Sequence, residues 1–195
     1  MRIGVYGGSF NPIHTGHAII ASHIMQQGYL DQLWLMVSPQ NPLKQAHDMA
    51  ADVHRLRMTE MVTRHLPGVE TSAFEFQMPR PSYTIDTLNA LQQKFPDDEL
   101  LLVIGADNWA EWSRWRAHDE IVEHFGLLIY PRLGYEVVIP PELSERVTLV
   151  QAPVIEISST RVRQLLAQGK SARFYVPDEV EQYINRHHLY QNNDK

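Results

Sequence analysis

"RIGVYGGSFNPIHTGH", residues 2–17, decides the fold. Residues 2–6 are a buried strand that stops at Gly7-Gly8, and a helix follows from about Gly16 to Gln27. Ile20, Ala21, Ile24 and Met25 form that helix's apolar stripe, and Gly28 supplies its stop. An unbroken apolar strand feeding a glycine turn and then a helix is the opening of a parallel α/β unit.

The rest of the chain repeats the alternation. Strands are predicted at 32–39, 99–107, 126–131 and 146–152, of which "ELLLVIGAD" (99–107) is the clearest. Helices are predicted at 52–68, at 82–96 with Ser82 or Thr84 as cap, through the Trp-rich stretch after Asp107, at 158–170 and at 177–188. Strands apolar on both faces between helices predict a Rossmann-like, doubly wound parallel sheet covered on each side, in a single α/β domain. That domain is expected over 1–189, with 190–195 as a polar tail. The irregular stretches 40–52, 73–82 and 132–145 are candidate lids or binding loops.

With 195 residues the chain can bury a sizeable core, and its net charge of −6 offers no global basic field for nucleic acid. It has no cysteine, so disulfides and thiolate metal sites are excluded. No run approaches membrane-spanning length and the first residues lack a signal-peptide core, so a cytoplasmic protein is expected. Composition leaves a homo-oligomer open.

Ligands of parallel sheets bind at the carboxyl ends of the strands, where Gly7 to His17 must lie. The glycines let the backbone approach a bulky group, and the helix amino end attracts anions. Neither the Walker phosphate loop nor the dinucleotide glycine pattern is present, so phosphate binding would fall to His14 and His17. A zinc site would want three or four protein ligands, and the neighbours here are Asn, Pro, Thr and Gly. A plain hydrogen-bonded histidine under the sheet edge explains one histidine better than two. Far away, "ISSTRVR" (157–163) begins a helix. Ser158, Ser159 or Thr160 would cap it, and the hydroxyls, free N–H groups and Arg163 could equally form an anion site.

"GSFNPIHTGH" resembles the signature of the His-x-Gly-His nucleotidyltransferases, and "ISSTRVR" resembles their second signature. In that family the histidines bind a nucleoside triphosphate and stabilise charge at the α-phosphorus. The resemblance therefore implies catalytic roles for His14, His17, Lys44 and Arg163. It implies ATP contacts from Gly7, Gly8, Ser9, Phe10, His14, Gly16, His17, Gly105, Asp107, Ile157, Ser158, Ser159, Thr160 and Arg163. It also implies Mg²⁺, held mainly by the ATP phosphates and by no dedicated protein ligand set.

Three middle motifs narrow the acceptor. "SPQNPLK" (38–44), "SYTIDTL" (82–88) and "GADNWAEWSRW" (105–115) resemble the bacterial nicotinate-nucleotide adenylyltransferases over nearly the whole chain. That resemblance implies ATP and nicotinate mononucleotide as substrates, no nucleic acid or membrane partner, and nicotinate adenine dinucleotide and pyrophosphate as products. The mononucleotide contacts it implies are Asn41, Lys44, Ser82, Tyr83, Thr84, Asp107, Trp115, Arg116 and Arg132, with Trp115 stacking on the pyridine ring. Of the stripe Trp109, Trp112 and Trp115, most are expected in the core. Arg116 stands where the family often has tyrosine, and "YPRLGY" (130–135) has Leu133 for the family's proline. The rivals are adenylylation of another phosphate, such as phosphopantetheine or nicotinamide mononucleotide, and a catalytically silent nucleotide binder.

Overall fold

The computed structural model describes residues 1–39 and 49–191. Six parallel strands form one sheet: β1 (Arg2–Gly8), β2 (Gln32–Val37), β3 (Val69–Ser72), β4 (Glu99–Gly105), β5 (Leu127–Tyr130) and β6 (Val147–Leu149). Their spatial order is β3-β2-β1-β4-β5-β6. The chain winds outward from β1 to one edge, then returns to start again at β4 and winds to the other. That reversal opens a crevice beyond the carboxyl ends of β1 and β4, the place where doubly wound sheets bind ligands.

Alternation along the central strands explains their continuous apolarity. Ile3 and Val5 of β1, with Leu100, Leu102 and Ile104 of β4, pack into the core on one face. Tyr6, Leu101 and Val103 pack into the core on the other. Helices α1 (Thr15–Gln26), α2 (Asp52–Thr63), α6 (Ser159–Ala167) and α7 (Asp178–Arg186) cover the second face. Helices α3 (Thr84–Lys94) and α5 (His118–His124), with Trp112, cover the first. Between β4 and α5 lies the five-residue helix α4 (Ala106–Ala110).

Several boundaries differ from those expected. β1 continues through Gly7-Gly8, because both still pair with Met36 and Val37 of β2. β3 was not anticipated: only its Val69 is buried, and pairing with β2 rather than its own apolarity makes it a strand. The Trp-rich stretch is α4 followed by a single 3₁₀ turn at Trp112–Arg114, not one helix. Neither Ser82 nor Thr84 caps α3; Tyr83 occupies the cap position and makes no side-chain cap bond. Tyr190, expected in the polar tail, packs against the core and donates its hydroxyl to Asn11 Oδ1 at 2.8 Å. No helix of the described residues is long and apolar enough to cross a membrane.

Candidate active site

The turn after β1 is closely packed. Phe10 adopts the left-handed backbone region (φ 43°), rare for a bulky residue, and its ring is buried against Tyr6 and His17. Helix α1 is then capped by histidines. The His14 ring nitrogen Nδ1 accepts from the His17 backbone N–H at 3.4 Å, and His17 Nδ1 accepts from the His14 N–H at 3.2 Å. This is a capping box built from two imidazoles. The rings stack, centroids 3.7 Å apart and 19° from parallel. Gly16 makes the stack possible, since a Cβ there would come 3.0 Å from His14 Nδ1 and 3.1 Å from Ile155.

The cap fixes proton positions. A backbone N–H can only donate, so each accepting Nδ1 is bare and each neutral ring carries its proton on Nε2. Burial, and after it the Arg132 charge, lower the His14 pKa to about 3. Burial, then His14, then Arg132 hold His17 well below the ordinary imidazole value. At neutral pH the site therefore presents two uncharged Nε2–H donors side by side. With Gly16, Tyr130, Pro131, Arg132, Ile155 and Ile157, the histidines line a small cavity.

The second signature closes onto this turn. Ser158 caps α6, accepting from the Arg161 N–H at 3.2 Å. The Ser159 hydroxyl donates to the Pro12 carbonyl at 2.9 Å, and Arg163 Nη1 donates to the Asn11 carbonyl at 2.8 Å. Arg163 Nη2 reaches Thr160 Oγ1 at 3.3 Å. Asn11, itself buried, also accepts from the Ala50 N–H and from Tyr190. Two motifs from opposite ends of the chain thus share one set of hydrogen bonds.

A larger cavity adjoins the first, lined by Gly7, Gly8, Glu75, Thr84, Asn108 and Trp115 among others. The Glu75 carboxylate accepts from the Thr87 hydroxyl at 2.9 Å, which ties the preceding 3₁₀ turn to α3. Trp115 faces the cavity while Trp112 is buried in the core and Trp109 donates to the Val138 carbonyl. Asp107 sits at the end of β4 with Oδ1 3.6 Å from Arg132 Nε, and both atoms are buried without a hydrogen bond. Gly105 leaves room for that carboxylate: a Cβ there would collide with Asp107 Oδ1.

Residues 5–165 match the cytidylyltransferase-like family. A protein of Bacteroides thetaiotaomicron named "Probable nicotinate-nucleotide adenylyltransferase" is 42% identical over 187 residues, 96% of this chain and 92% of that one. One of Flavobacterium johnsoniae with the same name is 38% identical over 195 residues, 97% of this chain and 99% of its own. This chain belongs to the nicotinate-nucleotide adenylyltransferase family. A solved structure of like fold is that of the Plasmodium falciparum nicotinic acid mononucleotide adenylyltransferase complexed with NaAD, at a TM-score of 0.80. It is 18% identical and covers 97% of each chain, a likeness of fold.

For this nicotinate-nucleotide adenylyltransferase family member, the expected residues are distributed unevenly. His14, Gly16, His17, Ile157 and Arg132 share the smaller cavity. Gly7, Gly8, Thr84 and Trp115 share the larger one. Arg116 does not point a free guanidinium into it. It lies over the Tyr83 ring at 4.5 Å and 3.7 Å from Asp86, more than half exposed. Asn41 and Lys44 lie outside the described residues.

Motif reading missed Tyr6, Tyr130, Asn108, Glu75 and Arg55. Arg55 is fully buried and donates to the carbonyls of Ser9 at 2.5 Å, Ser38 at 2.8 Å and Ala50 at 3.1 Å. It pins the segments after β1 and β2. Its signal was present: Arg55, Met58, Thr59 and Val62 fall on one helical face, so a charge sits in an apolar stripe.

Proposed function

We propose that the chain transfers the adenylyl group of ATP to nicotinate mononucleotide, giving nicotinate adenine dinucleotide and pyrophosphate in NAD biosynthesis, with the cytoplasm as its compartment. The observation that carries this reading is the paired Nε2–H donors of His14 and His17 beside the Arg163 and Ser158–Thr160 helix end. Such a set suits a triphosphate.

The mononucleotide phosphate is ionised at neutral pH and needs no general base, so catalysis is positioning and charge stabilisation. A phosphate oxygen attacks the α-phosphorus, the bond to the bridging oxygen breaks, and pyrophosphate leaves with the electron pair. His14 and His17 donate to the oxygens of the phosphorus under attack. Ser158, Ser159, Thr160 and Arg163 hold the β- and γ-phosphates, with Lys44 as a further cation. Gly7, Gly8, Ser9, Phe10, Gly105, Asp107 and Ile157 complete the adenylate site. ATP enters as its Mg²⁺ complex; magnesium favours phosphates and water, and among the described residues no three His, Asp or Glu side chains converge as a metal set.

Trp115 stacks on the pyridine ring, worth about 1–3 kcal/mol for a base on an aromatic side chain. The amino end of α3 at Thr84, bare of a side-chain cap, receives the nicotinate carboxylate, with Asn41, Ser82 and Tyr83 around it. The test is pyrophosphate release from protein, Mg²⁺ and ATP with nicotinate or nicotinamide mononucleotide in separate reactions. Release is expected with the acid form and at least about tenfold more slowly with the amide. Equal rates would remove the carboxylate-reading pocket, and no release with either would overturn the reaction.

A further inference from the structure

Two hydroxyls stand where the cavities meet, and no motif assigns either of them a role. Tyr6 precedes Gly7-Gly8 on β1 and Tyr130 ends β5. Both residues line the histidine cavity and both line the Trp115 cavity. Their rings lie 5.5 Å apart, and the Tyr6 hydroxyl donates to Tyr130 Oη at 3.0 Å. Arg132 Nη2 also approaches Tyr130 Oη, at 3.5 Å.

The protons can be counted. A phenol keeps its proton at neutral pH, and burial pushes the Tyr6 pKa further above its ordinary value. Two hydroxyls bring two protons, and one of them bridges the pair. The Tyr130 oxygen receives Tyr6 and Arg132, so its own O–H points away from both. Among the described residues nothing accepts that proton. A hydroxyl that lines a cavity and lacks a protein acceptor is open to an acceptor on the ligand. Arg132 and the two imidazole donors surround the same junction, and the acceptor they suit is an anion.

We infer that Tyr130 is a further catalytic residue, whose O–H donates to a non-bridging oxygen of the phosphorus under attack while Tyr6 and Arg132 orient it. This rests on the adenylyl transfer proposed above, in which the phosphates of both substrates meet at that junction. Donation from Tyr6 and Arg132 into the same oxygen polarises the outgoing O–H and strengthens it as a donor.

Tyr130→Phe and Tyr6→Phe both break the same Tyr–Tyr hydrogen bond, which separates catalysis from wall-building. A purely structural pair predicts equal effects. As a donor, Tyr130→Phe lowers kcat by about 10- to 100-fold with both KM values within about threefold. Tyr6→Phe, which leaves the Tyr130 proton in place, lowers kcat by no more than about fivefold. Equal losses in the two variants, or a Tyr130→Phe rate within about twofold of wild type, would overturn the inference. Absence of pyrophosphate release by the wild-type protein would instead overturn the reaction on which it rests.

Discussion

Two of the helix amino ends at the crevice are finished in opposite ways. At α1 the cap is complete: each histidine accepts the other's backbone N–H, the rings stack, and His14 is only 3% exposed. At α3 the cap position holds Tyr83, whose side chain accepts nothing and is 43% exposed. The first end has spent the N–H groups of His14 and His17 on its own cap and offers side-chain donors instead. The second keeps its N–H groups for whatever arrives. A triphosphate, the same in every turnover, suits a site built in advance. A carboxylate that must be told from an amide suits bare N–H groups, which only an acceptor can satisfy.

The largest break in that comparison would come from His17→Ala. It removes one of the two proposed phosphate donors and half of the reciprocal cap. Turnover should fall by about 100- to 1,000-fold, the cost of one preorganised donor. The cap loss, about 1 kcal/mol, should lower Tm by only about 2–4 °C. A variant within about fivefold of wild type would mean that the histidine cap is structural alone.

Finishing α3 as α1 is finished should have the opposite balance. Tyr83 already has the extended backbone of an N-cap (φ −107°, ψ 151°), so Tyr83→Asp can accept from the first-turn N–H groups. The expected result is a protein about 1 kcal/mol more stable whose KM for nicotinate mononucleotide rises about tenfold or more. The KM for ATP should stay put. An unchanged mononucleotide KM would show that the open helix end does not receive the carboxylate.

The protonation states sharpen the contrast further. With the folded His14 value near 3 against 6.5 unfolded, only the unfolded chain takes up this proton between those limits. Its stabilising effect is therefore complete above about pH 6.5 and drains away as pH falls toward about 3. His17, depressed by burial and by its neighbour, adds in the same direction. Nitrogen NMR should find two imidazoles fixed as Nε2–H tautomers from about pH 7.5 to about pH 5. Two rings that protonate within that window would put imidazolium, not neutral imidazole, beside the triphosphate.

Much of this was legible in the sequence because the signals were local. The apolar run 99–107, the glycine turn after β1 and the Ser-Ser-Thr helix start each carry their meaning within a few residues. What was missed depends on partners distant in the chain. β3 is a strand because β2 lies beside it. Tyr190 is part of the core because Asn11 accepts its hydroxyl, and no property of "YQNNDK" encodes that. Tyr130 meets the histidines because the end of β5 lies over the first cavity, a matter of strand order. The signatures named the residues of each motif, but the sheet decided which motifs would meet.

Arg116 supplies the smallest expected effect and the finest test. If it read the nicotinate carboxylate, the open end of α3 would be incidental, and Arg116→Ala would erase discrimination between acid and amide. Its guanidinium instead rests on the Tyr83 ring at 4.5 Å with Asp86 3.7 Å away, largely in solvent. An exposed pair of that length and a solvated cation–π contact are each worth at most about 1 kcal/mol. Arg116→Ala should therefore change the KM for nicotinate mononucleotide by less than about threefold and leave the acid-to-amide rate ratio where it was. A collapse of that ratio would move the recognition of the carboxylate from the backbone of α3 to this one side chain. The two helix ends would then differ in form without differing in task.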